Sequence, residues 1–504
     1  MKYFTLAIAA LVFTVLAPLA RANQASETTI TITGQSAGPT PFISKLTLNV
    51  SNLTALSRVK FAVTPKPGSV TRPLSASYTK NYLGGRGYVD AGNSQIIVPI
   101  FGLYAAYNNQ VRLTYFFADG SVKKDGTSIA TEPFDDACDF NTPTVRQART
   151  TSTELSYDFV LVASACSLQS PTIIDTDGAV RWVGTAGVRR YHTAFYQNGI
   201  YLTQGTRLLR MELDGAVSVL ADYASLNVIG FHHNIDPGKY GIILDANTRA
   251  YIASVHFEVD RAGKVLKKWN LADIIRAAMV AGGDDPAGFV RPAKGRYDWK
   301  APEDWTHNNS VTYRKADDSL IISSRENFVV CIDYETSAIK WILGDTTKRW
   351  YQYPSLKKYA LEVAPGGTAP AGQHSVGIAK DGNLLLMDNG QPSNHQSPAG
   401  PTRSYSAPRK YELNLQAKTA TEVWSFPNNE AVFSAYCSSV YEDAADNYVV
   451  DYANVRGATR ILGLSASGEK VFEYAYPTVD CQDGYRSVPV HWENLMFPFR
   501  RVPR

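Results

Sequence analysis

Cysteine is scarce in this sequence. Five residues (Cys138, Cys166, Cys331, Cys437 and Cys481) are spread over 504, and none stand in a Cys-x-x-Cys spacing, which argues against a structural zinc site. The odd count leaves at least one thiol free or intermolecular, and the sequence assigns no pairing. Charge of one sign is also lacking. Fifty Lys and Arg against 46 Asp and Glu give a net +4, and loss of a leader carrying Lys2 and Arg21 lowers this to about +2. So small a balance offers no electrostatic footprint for nucleic acid or an acidic membrane as partner. Histidine is rarer than most residues, eight in all, so the positions it occupies carry information.

What is present begins with an export signal. Lys2 supplies a positive n-region, Phe4 to Leu16 an apolar core, and Ala20-Arg21-Ala22 a small-x-small cleavage site. The apolar run is too short, and too soon interrupted by Pro18, to span a bilayer comfortably. Residues 1–22 are therefore expected to be a signal peptide. The mature protein is expected in the periplasm or outside the cell, with no membrane attachment after cleavage. An oxidising compartment permits disulfides.

A chain of this length exceeds one compact core, so two domains or a large repeat are expected. Residues 23–150 carry short runs of period-two alternation (Thr28 to Thr33, Lys45 to Val50, Ser94 to Ile100 and Gln110 to Phe117) bounded by Gly, Asn and Asp turns. That spacing predicts a β-sandwich. The loop Phe101 to Asn109 holds Tyr104 and Tyr107; packing between domains is its default role, and a substrate-facing tyrosine is the alternative.

Residues 151–504 repeat. A His or Asn, one small polar residue and an aliphatic residue open a hairpin at His192-Thr193-Ala194, His233-Asn234-Ile235, Asn309-Ser310-Val311 and His374-Ser375-Val376, with Ser438-Ser439-Val440 as a serine version. Six turn-plus-strand units, several ending in Trp, recur between them every 40 to 60 residues or so. The first blade is expected to begin near Phe159-Val160-Leu161-Val162. Four short strands per unit at this period predict an all-β fold, a six-bladed β-propeller behind the sandwich. Two insertions, a helix over Ala272 to Met279 and an excursion over Pro354 to Pro370, are expected to shape a funnel at one face.

In a propeller the innermost strands line a central channel, so His192, His233, Asn309, His374 and Ser438 are expected to point at a common axis. Strand alternation puts His307 on the same face as Asn309, and Arg325 enters from the neighbouring strand. His232, of opposite alternation, is expected between blades; His256, His395 and His491 are read as packing or surface residues. Three chemistries fit the ring. One is a divalent metal on neutral imidazoles, disfavoured by few carboxylates and by the Arg325 charge. The second is a ring that only binds. The third is transfer of an anionic group through a histidine nucleophile.

Asp304-Trp305-Thr306-His307-Asn308-Asn309-Ser310-Val311, Ser323-Ser324-Arg325, the pair His232-His233 and Gly372-Gln373-His374-Ser375 resemble the exported bacterial arylsulfate sulfotransferases. The likeness spans nearly the whole mature chain. It implies a six-bladed propeller with an N-terminal β-sandwich and no nucleotide sulfate donor. It also implies a ping-pong reaction in which an aryl sulfate sulfurylates a histidine that passes the group to a phenol. Carried over by residue, His374 is the nucleophile. Arg325, His233 and Asn309 hold the sulfuryl oxygens, as does His307, which also moves the phenol proton. His192, Ser438 and Tyr104 are further substrate contacts. No metal or cofactor is implied, the partners are the aryl sulfate donor and the phenol acceptor, and a homodimer is left open. Water as acceptor (an aryl sulfate hydrolase) and a non-catalytic propeller for sulfated or phenolic ligands are the alternatives. The family's closely spaced disulfide before the nucleophile has no counterpart here, because residues 343–373 contain no cysteine.

Overall fold

The alternation in the first 150 residues folds as read. This computed structural model describes residues 23–497 apart from 152–153, 295–300 and 431, so the proposed leader over 1–22 lies outside the described residues. Ile30–Ala37, Ile43–Val50, Gln95–Phe101 and Val89–Asp90 form one sheet, and Leu74–Thr79, Leu56–Val63, Asn108–Phe117 and Val122–Ala130 form the body of a second. Strand Asn108–Phe117 turns Asn109, Val111, Leu113, Tyr115 and Phe117 inward and leaves its other face more open, the period-two signature of a half-buried sheet. Leu46, Leu48, Phe61, Ile96 and Val98 fill the space between the sheets.

The remainder is a ring of six sheets, each with four antiparallel blade strands. Blades two to six run from inside to outside in chain order, with innermost strands Thr193–Tyr196, Val228–Pro237, Asn308–Arg314, His374–Ile378 and Ser439–Glu442. The first blade is built differently. Phe159–Ala163 is its second strand, and its innermost strand is Arg486–Val490 from the far end of the chain. This closes the ring and explains why only five inner units are visible in the repeat. Arg486 fastens the closure, donating from Nη2 to the Thr193 and Ile235 carbonyls at 2.7 and 2.8 Å and pairing with Asp236 at 2.9 Å.

The two bodies are stitched at both ends. Thr144–Gln147 adds an outer edge to the sixth blade, and Leu495–Phe497 returns to pair in parallel with Leu74–Thr79 of the sandwich. Arg181 of the first blade is buried against the sandwich, donating to the Gly102 carbonyl, pairing with Asp175 at 3.0 Å and lying 3.8 Å above the Tyr104 ring. The expected helix spans Leu271–Ala281, capped by the Asn270 side chain. It packs with Phe289, Trp305, Trp350 and Leu356 in a core between the third and fourth blades. Neither it nor the 354–370 excursion lines the central funnel, contrary to expectation, because the helix, Leu356 and Ala360 are spent on that core and Leu361 and Val363 on the next one along the ring. Among the described residues no helix is long and apolar enough to cross a membrane.

Candidate functional site

Three of the inner strands enter the channel through a distortion. The strand registers shift between Phe231 and Ile235, between Asn308 and Ser310, and between His374 and Gly377. His233 and His307 sit at φ +42° and +43°, a left-handed conformation that side-chain-bearing residues seldom adopt. Bulges of this kind re-aim side chains at functional sites. They open one face of the ring into a funnel of about 1420 Å³ lined by His192, His232, His233, His307, Arg325 and His374, with Tyr191, Phe231, Phe433 and Tyr436 supplying aromatic surface.

His374 is held at both ring nitrogens. Nδ1 lies 2.8 Å from Asn389 Oδ1 and 3.1 Å from the Gly372 carbonyl. Both partners are acceptors, because Asn389 uses its amide nitrogen to donate to the Ser434 and Cys437 carbonyls. The proton therefore sits on Nδ1, and the Nε2 lone pair accepts the Cys437 N–H at 3.2 Å. Burial, followed by the charge of Arg325, pushes this imidazole down to about 3, so it is neutral at ordinary pH.

His307 is oriented by Asp304. The carboxylate receives the backbone N–H at 3.1 Å and lies 2.6 Å from Nδ1, which turns Nε2 to within 2.8 Å of His233 Nε2. Although burial works to raise the Asp304 carboxyl, the neighbouring imidazoles hold it below its ordinary value. His233 stacks on Tyr485 with ring centroids 5.3 Å apart and planes 6° from parallel. Burial, reinforced by the surrounding imidazoles, drives its pKa well below normal. The His233 and His374 rings are 6.1 Å apart.

Arg325 completes the group. It is buried, its Nη1 pairs with Glu326, and the guanidinium lies 4.7 Å from the Tyr436 ring. Glu326 is kept ionised by that pair and by N–H donors from Asn394 and His395, at 2.7 and 3.0 Å. Nε and Nη2 of Arg325 have no hydrogen-bond partner among the described residues. Buried donors are nearly always satisfied, so two free guanidinium donors on a cavity wall mark a place for an anion.

The expected ring is thus partly assembled. His192, His233, His307, Arg325 and His374 line the funnel; His192 is anchored by Thr203 at 3.0 Å. Asn309 does not line it. The bulge beside it swings its amide to the Gln373 carbonyl, 2.7 Å away, where it braces the residue before His374. Ser438 is tied to Ser434 Oγ at 2.9 Å and accepts from the Ala453 amide. Tyr104 is buried under Arg181 at the domain junction. His232, expected between blades, faces the funnel, because the His233 distortion breaks strict alternation. His256 is a packing residue, bonded to Asp245 at 2.7 Å. His395 N–H serves Glu326, and half-exposed His491 pairs with Asp443 at 2.8 Å. The cysteines form Cys138–Cys166 and Cys437–Cys481, with Cys331 free and buried. The second bridge borders the funnel. Asn389, Asp304 and the Cys437 amide were not legible as site groups. Asn389 stands 15 residues from the histidine it holds and Cys437 acts through its backbone, whereas Asp304 lies within the 304–311 motif, three residues before His307, without its carboxylate having been read as the partner of that ring.

Comparison with known proteins finds two family models along the chain. The family model described as Arylsulfotransferase (ASST) matches residues 144–486, and that of the Arylsulfotransferase Ig-like domain matches residues 39–132. Among curated proteins, Arylsulfate sulfotransferase AssT of Escherichia coli is 28% identical over 225 residues, 38% of this chain and 37% of the relative. The protein of the same name from Lelliottia amnigena is 24% identical over 349 residues, 56% of this chain and 57% of the relative. In these matches the chain therefore spans only 37% and 57% of the two relatives' lengths. A β-propeller domain of Cps50 (Swd1) from Myceliophteria thermophila shares 10% identity over 66% of this chain and 88% of its own, at a TM-score of 0.34, too low to support a comparison.

Proposed function

The chain belongs to the arylsulfotransferase family, and from that premise we propose that its funnel moves a sulfuryl group from an aryl sulfate to a phenol by way of a sulfohistidine at His374. The observation that carries this reading is the pairing, on one cavity wall, of a neutral imidazole whose Nε2 lone pair meets only a backbone N–H with a buried guanidinium that has two donors without a partner among the described residues. Neutral imidazole is a good nucleophile toward sulfur, and the guanidinium meets the charge spread over the sulfuryl oxygens.

In the first half-reaction Nε2 of His374 attacks sulfur. The N–S bond forms as the S–O(aryl) bond breaks, and its electron pair leaves with the phenolate oxygen. Asp304 fixes His307 so that its Nε2 can give that oxygen a proton. In the second half-reaction an incoming phenol loses its proton to His307 and attacks the same sulfur, and the N–S electron pair returns to His374. Arg325 Nε and Nη2, with His233, hold the non-reacting oxygens through both steps, as positioned donors do in phosphoryl transfer. The Cys437 N–H, already 3.2 Å from Nε2, is placed to pass to a sulfuryl oxygen once Nε2 is bonded to sulfur. The aromatic wall of Tyr191, Phe231, Phe433 and Tyr436 suits the aryl groups, and exposed Arg189, Arg190 and Arg456 at the rim favour an anionic donor. Two disulfides support the proposal that the chain works in an oxidising, exported setting.

The test is mass spectrometry of protein quenched after exposure to aryl sulfate alone. One SO3 group on the peptide containing His374, stable in base and lost in acid, is the expected result; a full burst of phenol without that adduct would overturn the intermediate. Added phenol should accelerate donor turnover and become sulfated. Turnover indifferent to phenol would instead favour the hydrolase.

A further inference from the structure

His232 has no part in the sulfuryl-transfer scheme, yet it is buried and faces the funnel beside two residues that do. Its ring centroid is 4.1 Å from that of His233 and 4.8 Å from that of His307. The three histidines present ligand nitrogens that all lie within 4.8 Å of one another, the one such group of potential metal ligands among the described residues. A point no more than about 2.8 Å from all three such atoms exists, and ring rotations that draw the imidazoles inward bring that to the ~2.0–2.1 Å of a zinc–imidazole bond.

We propose that His232, His233 and His307 form a binding site for a divalent transition-metal ion of the zinc, cobalt or copper type, and that an ion bound there shuts the sulfuryl site. Three features carry the assignment. The donor set is all nitrogen, which suits these ions and not magnesium or calcium, whose ligands are oxygens. Asp304, 2.6 Å from His307 Nδ1, supplies the carboxylate behind a ligating imidazole that fixes which nitrogen faces a metal. Finally, the ligands open onto the water-accessible funnel, which leaves an entry path and a fourth position for water. Arg325, which also lines the funnel, is paired with Glu326, and the buried Asp304 carboxylate on His307 favours a dication. Ligation would occupy the His233 and His307 nitrogens that the sulfuryl oxygens and the phenol proton require. The inhibitory consequence, though not the binding, rests on the transfer mechanism proposed above.

The experiment uses the full mature protein, freed of metal by chelator and titrated with Co2+. Visible absorption of a low-coordinate Co2+ centre, saturating at one ion per chain and displaced by Zn2+, is expected. Zn2+ should stop aryl sulfate cleavage in the same concentration range, and chelator should restore it. His232→Gln should weaken Co2+ binding by more than about tenfold, beyond what losing an outer-shell partner costs, and release cleavage from Zn2+ inhibition. His491→Gln, far out on the surface, should change neither. His307→Gln serves as a second ligand variant read by absorption alone, with thermal melting confirming that each variant is folded. No Co2+ spectrum up to millimolar concentration, or one unaltered in both ligand variants, would overturn the site. Because absorption is read without any turnover, a protein that binds Co2+ but cleaves no aryl sulfate would refute the transfer reading and leave the metal site standing.

Discussion

Asn389 holds His374 in one tautomer. Its Oδ1 lies 2.8 Å from His374 Nδ1, and it cannot flip, because its Nδ2 donates to the Ser434 carbonyl at 2.8 Å and the Cys437 carbonyl at 3.1 Å. One amide therefore fixes the proton on Nδ1 of this imidazole and also positions the backbone segment whose N–H reaches its Nε2.

Removing that amide should impair the donor half-reaction more than binding. For Asn389→Ala, the pre-steady-state burst of phenol from an aryl sulfate is expected to slow by ~10²-fold, the scale of a misplaced or wrongly tautomerised imidazole. KM should change little. A burst at the wild-type rate would show that the Gly372 carbonyl alone suffices to hold Nδ1.

The propeller was legible because its repeats are local. Each hairpin announces itself by a turn and an alternating or apolar strand, and a shared slot residue survives even when His becomes Asn or Ser. The exception, the first blade, has its inner strand at Arg486–Val490, more than 300 residues from its neighbour Phe159–Ala163, and a pairing at that distance leaves no periodic trace. Site membership was less legible for one physical reason. Strict alternation assumes regular strands, and bulges at the channel break it. That is why His232 gains a place on the funnel wall and Asn309 loses one. Ser438 follows the same logic, since Cys437 and Ser438 are consecutive left-handed residues at φ +58° and +77°, which turn the serine hydroxyl away and the Cys437 amide inward.

Cys437 is fixed from two sides, by Asn389 at its carbonyl and by the bridge to Cys481. If its N–H stabilises a sulfuryl oxygen, releasing the bridge should lower the rates of both half-reactions by about 10-fold or more, with donor KM nearly unchanged, since one positioned donor supplies ~10²–10³-fold. Cys437→Ser with Cys481→Ser, measured in single turnover, tests this. The matching pair Cys138→Ser and Cys166→Ser, whose bridge does not line the funnel, should stay at the wild-type rate. Equal losses in both pairs would reduce the Cys437 bridge to a general stabiliser.

Arg325 divides its donors, with Nη1 on Glu326 and Nε and Nη2 without a partner among the described residues, where the proposed mechanism puts the sulfuryl oxygens. A lysine keeps the charge but cannot span both directions. Arg325→Lys is therefore expected to lose ~10²-fold in the burst and in sulfuryl transfer to phenol alike, and Arg325→Ala at least as much. Glu326→Gln should act chiefly on stability, because it breaks a buried pair at a cost of about 3–5 kcal/mol. Thermal melting of the three variants beside their single-turnover rates separates the two effects. A lysine variant at full speed would mean that charge alone, without the fork, serves the site.

The reach of the nucleophile in pH follows from its burial. An ordinary imidazole with a pKa of about 6.5 would be about 97% protonated at pH 5 and useless as a nucleophile. His374, pushed down to about 3 by burial and then by Arg325, is in its neutral, attacking form above that value. The sign is that of a lowered base: activity dependent on this group is present at high pH and is lost only as pH falls through about 3. The kcat/KM for phenol release from an aryl sulfate, which reports the free protein, should therefore show no acid limb assignable to His374 between pH 7 and 5. Asn389→Ala removes a hydrogen bond that raises this pKa, so the variant too should show no such limb between pH 7 and 5. A wild-type limb near 6.5 that titrates with His374, followed by NMR of its ring protons, would mean that the imidazole is solvated and that neutrality at the site does not come from burial.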